Sequence, residues 1–161
     1  MILCTLGTHP APFDRLVDWV LAARGDEDAI IQHGSTPPRS GVDGVLWRQA
    51  LPYDELTALM RAADVMVCHA GVGTLMNAIS LGVKPVTIPR LRAHGEHVDD
   101  HQLEIAGELD RTGRIFSCLD QDHFESALAA ARNVDGSREP VGGELRLIAI
   151  EAAGGDPELA R

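Results

Sequence analysis

The sequence predicts a doubly wound parallel α/β sheet. Short apolar runs alternate with stretches whose apolar residues recur at helical spacing, the pattern of strands buried on both faces by crossover helices. Two of the runs end in glycine-containing turns that lead directly into a helix, Gly7-Thr8-His9-Pro10 and His69-Ala70-Gly71-Val72-Gly73-Thr74. In such sheets ligands bind beyond the carboxyl ends of the strands, so both turns fall where a site is expected.

Composition narrows the class. At 161 residues the chain suits one domain, and 45% apolar with 24% charged residues is the balance of an ordinary globular protein. A net charge of −10 with no basic stripe excludes nucleic-acid binding through phosphate contacts. Residues 1–6 run straight into Gly7, too short for a signal-peptide apolar region, and no apolar run approaches the roughly 20 residues that span a bilayer. A cytoplasmic location is the expectation. Cys4, Cys68 and Cys118 are odd in number, lack C-x-x-C spacing and fall in predicted strands, so they read as small buried hydrophobes.

The elements follow in order. Residues 1–6 form a buried first strand. Phe13, Leu16, Val17, Val20 and Leu21 repeat at helical spacing, and Arg24-Gly25 ends that helix with a cation and a glycine stop. Residues 28–32 form a second strand, residues 34–41 a loop rich in turn formers, and Val45-Leu46-Trp47 a third strand. Pro52, Asp54 and Glu55 open a helix as its dipole favours, with Leu56, Leu59, Met60 and Ala63 on its apolar face. The fourth strand covers residues 65–68, and a helix from Thr74 to Leu81 follows its glycine turn. Residues 84–89 make a fifth strand, residues 90–97 a polar loop, and Val98, Leu103, Ile105, Ala106 and Leu109 a helix stopped by Gly113. A sixth strand over residues 114–118 and a helix marked by Phe124, Leu128 and Ala131 complete a domain expected over residues 1–132. Residues 133–161 read as a linker, a short amphipathic helix carrying Leu145, Leu147, Ile148 and Ile150, and a Gly-Gly-Asp-Pro tail.

The turn from His69 to Thr74 admits two readings. Gly71 and Gly73 let the backbone turn sharply and approach a ligand, while the first N–H groups of the next helix and its positive dipole end suit a diphosphate. Equally, the glycines serve packing alone, and His69 is then a hydrogen-bonded core histidine. A nicotinamide-dinucleotide site is not matched, because the first strand is not followed by Gly-x-Gly-x-x-Gly.

The larger block is more specific. Residues 63–74, with Leu81-Gly82-Val83-Lys84-Pro85, Ile88-Pro89-Arg90 and Gly95-Glu96-His97-Val98-Asp99-Asp100-His101-Gln102, resemble the C-terminal nucleotide-sugar-binding domain of GT-B glycosyltransferases of the family 28 type. The likeness covers roughly residues 1–131. It is nearest to the small donor-binding subunits of split enzymes, both the bacterial exopolysaccharide type and the eukaryotic dolichyl-diphosphate-GlcNAc GlcNAc-transferase type.

The resemblance implies a Rossmann-like fold and donor binding by Gly7, Thr8, His69, Gly71, Gly73, Thr74, Asn77, Asp100, His101 and Gln102. In the family the turn residues hold the diphosphate and the Asp-His-Gln run orients the donor sugar. Asn77 stands where an acidic residue often holds the ribose, so its bond to a diol lacks charge assistance. The implied activity is inverting transfer of a hexosyl or hexuronosyl group from a UDP-sugar to a lipid-linked saccharide acceptor. It also implies a membrane-associated acceptor-binding partner subunit that recruits this chain to the inner membrane face. No cofactor is expected. His9, His97 and His101 are candidates for the general base, which the partner is equally placed to supply. His97 and His101, with Asp100 beside them and His94 nearby, suggest a divalent metal site, but no Glu follows His97 in an H-E-x-x-H pattern and the resemblance is to metal-independent enzymes, so no metal is expected. Asp99, Asp100 and Glu104 also read as a solvated acidic first helical turn. A non-enzymatic nucleotide or nucleotide-sugar sensor is the alternative function.

Overall fold

The computed structural model describes residues 1–133. The expected linker, the helix over residues 144–153 and the tail lie outside the described residues. Six strands, β1 (Ile2–Thr5), β2 (Ala29–Gln32), β3 (Val45–Arg48), β4 (Val65–His69), β5 (Val86–Ile88) and β6 (Phe116–Ser117), form one sheet. Between and after them run α1 (Asp14–Ala23), α2 (Tyr53–Ala62), α3 (Val72–Ser80), α4 (His101–Arg111) and α5 (Gln121–Arg132). The strand order is β3-β2-β1-β4-β5-β6 with every pair parallel, the doubly wound arrangement expected from the alternation of strand and helix.

The continuous apolar runs of the central strands are explained by helices on both faces. Leu3, Ile30, Met66 and Cys68 face α2, α3 and α4, packing against Leu59, Met60, Leu75, Ala78 and Ala106. Ile2, Cys4, Ile31, Val67 and Ile88 face α1 and α5, against Leu16, Val17, Val20, Phe124 and Leu128. Strands β1, β2, β4 and β5 are buried throughout, whereas the edge strand β3 is half-buried. Cys118 lies one residue past the short β6 and is as buried as Cys4 and Cys68.

Register places the site. Thr5 at the end of β1 is level with Gln32 on β2 and Cys68 on β4, so the loops after β1 and β4 leave the same edge side by side and run to opposite faces. Several boundaries differ from the expectation, and β6 covers only Phe116–Ser117 of the expected residues 114–118. Helix α3 begins at Val72, which puts Gly73 inside its first turn. Helix α4 begins at His101, and Val98, 75% exposed, belongs to the preceding loop, where a 3-10 turn spans Arg92–His94.

Burial pushes the Cys68 thiol up to about 12, with a weaker opposing effect of its Thr87 contact, and raises Cys4 further. A thiol reagent at pH 8 is expected to label Cys4 and Cys68 only after denaturant is added. Rapid native labelling of either would contradict the buried assignment.

Candidate functional site

The two glycine turns meet across the ring of His69, the last residue of β4. A Cβ added to Gly7 would stand 2.5 Å from His69 Cε1, and one added to Gly71 would stand 2.1 Å from its Nε2. Neither distance is physically tolerable, so both positions require glycine while the imidazole is in place. Gly7 also adopts a φ of 76°. The ring is 9% exposed, and its Nδ1 lies 3.4 Å from the Thr5 carbonyl oxygen. A carbonyl only accepts, so Nδ1 carries the proton and Nε2 keeps a lone pair. Burial lowers the His69 pKa to about 4, helped by the nearby Arg90 cation and opposed by the Thr5 contact, so the ring is neutral at physiological pH.

Gln32 secures the first turn in a way the sequence reading missed. Its Oε1 accepts from the Gly7 N–H at 3.1 Å, and its Nε2 donates to the Gly7 carbonyl and to Gln49 O, both at 3.0 Å. The Gly7 N–H is thus already occupied. The available signal was a glutamine ending the otherwise apolar strand Ala29-Ile30-Ile31-Gln32, a position 6% exposed.

At the second turn, the Leu75 N–H makes a bond of 3.0 Å to Gly71 O. The N–H groups of Val72, Gly73 and Thr74 precede it, and Gly71 offers no side-chain cap. The residues that carry them line a cleft of about 240 Å³ together with Gly7, Thr8, Gln32 and His69 and with the apolar Leu51 and Leu56. A Cβ at Gly73 would meet nothing within 4 Å. The cleft therefore combines backbone donors, a helix dipole and an apolar wall, a setting for an anionic group joined to a less polar one.

The third loop is fastened to the first by Arg90, which is 1% exposed. Its Nη1 donates to Ala11 O (2.8 Å) and Glu96 O (3.1 Å), its Nη2 to Leu6 O (2.9 Å), and the guanidinium lies 4.6 Å from the Phe13 ring centroid. Burial pushes its pKa down to about 10, against the pull of Glu96, and it remains a cation at neutral pH. Glu96 receives Arg15 bidentately, at 3.0 and 2.8 Å, and the Leu91 N–H at 2.9 Å. Gln102, 4% exposed, accepts from the Arg90 N–H, and Asp100 accepts from the Arg92 N–H.

His9 and His97 stack at 4.6 Å, and His97 meets His101 edge to face at 4.7 Å. Desolvation lowers the His9 pKa, and His97 and Arg90 lower it further. Of the ten expected donor residues, Gly7, Thr8, His69, Gly71, Gly73 and Thr74 line the cleft together. Asn77 joins α2 to α3, accepting from Tyr53 Oη at 3.3 Å and donating to Thr57 Oγ1 at 3.2 Å. Asp100, His101 and Gln102 are grouped on the neighbouring loop.

The strand order, the crossing at β1 and β4 and the glycine-lined cleft define a Rossmann-like domain with a cleft at its switch point. Its family follows from comparison: the chain belongs to the glycosyltransferase family 28 C-terminal domain family, whose model matches residues 1–135. The UDP-N-acetylglucosamine transferase subunit ALG13 of Yarrowia lipolytica is 27% identical over 135 residues, a match covering 76% of this chain and 66% of that protein. The UDP-N-acetylglucosamine--N-acetylmuramyl-(pentapeptide) pyrophosphoryl-undecaprenol N-acetylglucosamine transferase of Shewanella sp. strain MR-4 is 30% identical over 101 residues. That match covers 60% of this chain and 27% of the relative. Among solved structures, the glycotransferase of kitacinnamycin has the same fold, with a TM-score of 0.64 at 18% identity over 98% of this chain and 41% of that one. The fold class and family resemblance expected from the sequence are thereby borne out.

Two outcomes test the His69 arrangement. Gly71→Ala should cost about 1–3 kcal/mol in urea unfolding, and Gly73→Ala should be neutral or stabilising by up to about 1 kcal/mol. Equal effects would refute the steric assignment. Because the His69 pKa falls from 6.5 to about 4 on folding, its stabilising contribution is complete above pH 6.5 and is lost as pH drops towards 4. Nitrogen-detected NMR should show a neutral, Nδ1-protonated ring at pH 5.5, and a midpoint above 6 would exclude this environment.

Proposed function

We propose that this chain is the donor-binding subunit of a two-component inverting glycosyltransferase. It takes a UDP-sugar and, with a membrane-associated partner, passes the sugar to a lipid-linked acceptor in exopolysaccharide or glycolipid synthesis. The observation that carries the reading is the cleft at the switch point, lined by Val72, Gly73 and Thr74 at the start of α3 together with Gly7 and Thr8. A diphosphate in that position is held by backbone donors and the α3 dipole. His69 contributes shape: a neutral ring whose Nδ1–H points to the Thr5 carbonyl gives an anion no charge, but it fixes both turns at the spacing the cleft requires. Departure of a nucleoside diphosphate is thus favoured by preorganised donors.

The relatives support the division into subunits. The Yarrowia protein is by name a subunit of a UDP-N-acetylglucosamine transferase, and this chain spans about a quarter of the Shewanella enzyme. In this reading the acceptor site is supplied by the partner chain. Tyr53 (68% exposed), Val72 (53%) and Met76 (45%) place apolar side chains on the α2 and α3 surface beside the cleft, where such a partner would close over the donor. No helix among the described residues is long and apolar enough to cross a membrane, which fits membrane attachment through the partner. His9, His97 and His101 are the imidazoles of this chain that would stand nearest the sugar, and the partner is the other source of the base. Asp100 and Gln102 are assigned to the sugar end and Asn77 to the ribose. No organic cofactor is required for this transfer.

Gly73→Val should fold normally, since its side chain enters open space, yet lose at least about tenfold in UDP affinity by calorimetry. Unchanged affinity would remove the cradle assignment. The decisive assay is transfer from radiolabelled UDP-sugars by this chain reconstituted with the product of the adjacent gene. UDP binding without transfer by any such pair would reject the enzymatic reading in favour of a sensor.

A further inference from the structure

Three imidazoles form a row that starts next to Thr8 of the cleft, and their hydrogen bonds place their protons differently. His9 Nδ1 accepts the Ala11 N–H at 3.1 Å. The proton of the neutral ring is therefore on Nε2, and the ring offers a substrate a donor but no free lone pair. His97 is 12% exposed, with His9 stacked on it at 4.6 Å and His101 in edge-to-face contact at 4.7 Å. Little of it is left for another molecule to reach.

His101 differs from both. Its Nδ1 contacts Asp99 Oδ1, and a carboxylate oxygen only accepts, so Nδ1 holds the proton and Nε2 keeps its lone pair. The same oxygen accepts the His101 backbone N–H at 3.2 Å, which fixes the carboxylate against the start of α4. Hydrogen bonds from the His101 ring and then from its backbone hold the Asp99 carboxyl below the usual carboxylate range, so it is ionised at neutral pH. The His101 side chain is 47% exposed and that of Asp99 56%. An ion pair at such positions adds little to stability. What it settles is the tautomer and orientation of a ring that an acceptor can reach.

We infer, on the reading of this chain as a donor-binding glycosyltransferase subunit, that His101 is the general base of the transfer and Asp99 its positioning residue. The acceptor hydroxyl gives its proton to His101 Nε2 as its oxygen bonds to the anomeric carbon. The bond from that carbon to the diphosphate breaks, and its electron pair leaves with the nucleoside diphosphate. The imidazolium is paired at Nδ1 with the Asp99 carboxylate and returns its proton to solvent after the product departs. Inversion brings the acceptor to the face of the anomeric carbon away from the diphosphate. His101, two ring contacts beyond His9, stands off from the α3 turn to which the diphosphate is assigned. Asp100 and Gln102 are then the members of the run that remain for the sugar.

Long-range nitrogen–proton NMR of the full chain, with His101→Gln to assign the signals, should show His101 protonated on Nδ1 alone at about pH 8, where an ordinary histidine is neutral. In Asp99→Asn the ring should shift towards the Nε2–H form. In transfer by this chain with the adjacent gene's product, His101→Gln should lower kcat at least about a hundredfold while KM for the UDP-sugar stays within about twofold. Asp99→Asn should lower kcat at least about tenfold with the same split. Asp120→Asn with His123→Ala removes another exposed carboxylate–imidazole pair and should leave both constants unchanged. If no pair transfers sugar, the donor-subunit reading falls and this assignment with it. If the unaltered pair transfers but His101→Gln retains kcat or only raises KM, this assignment alone falls. It also falls if the native His101 ring carries its proton on Nε2, or if His9→Gln costs as much in kcat as His101→Gln.

Discussion

The architecture of the cleft depends on one steric constraint, the placement of an imidazole at the point where the sheet changes direction. Side chains at Gly7 or Gly71 would occupy the space of the His69 ring. Its presence therefore sets the distance between the loops that leave β1 and β4, and that distance is the width of the cleft. Gly34 repeats the principle one layer out, since a Cβ there would stand 2.4 Å from Gly7 O. The loop after β2 thus presses the first turn against the ring, while Gln32 holds both polar groups of the Gly7 peptide.

A buried cation supports the same cleft from the far side. Arg90 ties together three segments through their carbonyl oxygens, at Leu6, Ala11 and Glu96, and its own N–H is held by Gln102. A buried guanidinium is costly unless its donors are matched, and most of these are, with the Phe13 face covering the planar group. In the Gly-Glu-His-x-x-Asp-His-Gln run, Glu96, Asp100 and Gln102 accept hydrogen bonds from Arg15, Leu91, Arg92 and Arg90, while Asp99 meets His97 and His101.

This interleaving changes how the motif is understood. Family membership accounts for the run as a whole, but Gln102 already accepts a hydrogen bond from the Arg90 N–H within the domain. A ligand contact made from that position would be preorganised, at little entropic cost on binding. Asn77 shows the same economy, because its amide already links α2 to α3 through Tyr53 and Thr57.

Much of the fold was legible in the sequence because its signals are local. Apolar runs, helical spacing and glycine stops each concern neighbouring residues, and they sufficed for the parallel sheet, the buried cysteines and the two glycine turns. The errors in the α3 and α4 boundaries also have a local cause: Gly73 and the polar loop before His101 weaken the helical pattern at each start. What only the tertiary structure decided involves partners distant along the chain. Glycine at 7 and 71 is explained by a ring at 69, Gln32 by a peptide twenty-five residues away, and the burial of Arg90 by carbonyls near the first turn. No periodicity encodes such pairings. They arise when register brings the ends of β1, β2, β4 and β5 to one edge, where the His69-to-Thr74 turn becomes one wall of a cleft whose other wall begins at Gly7.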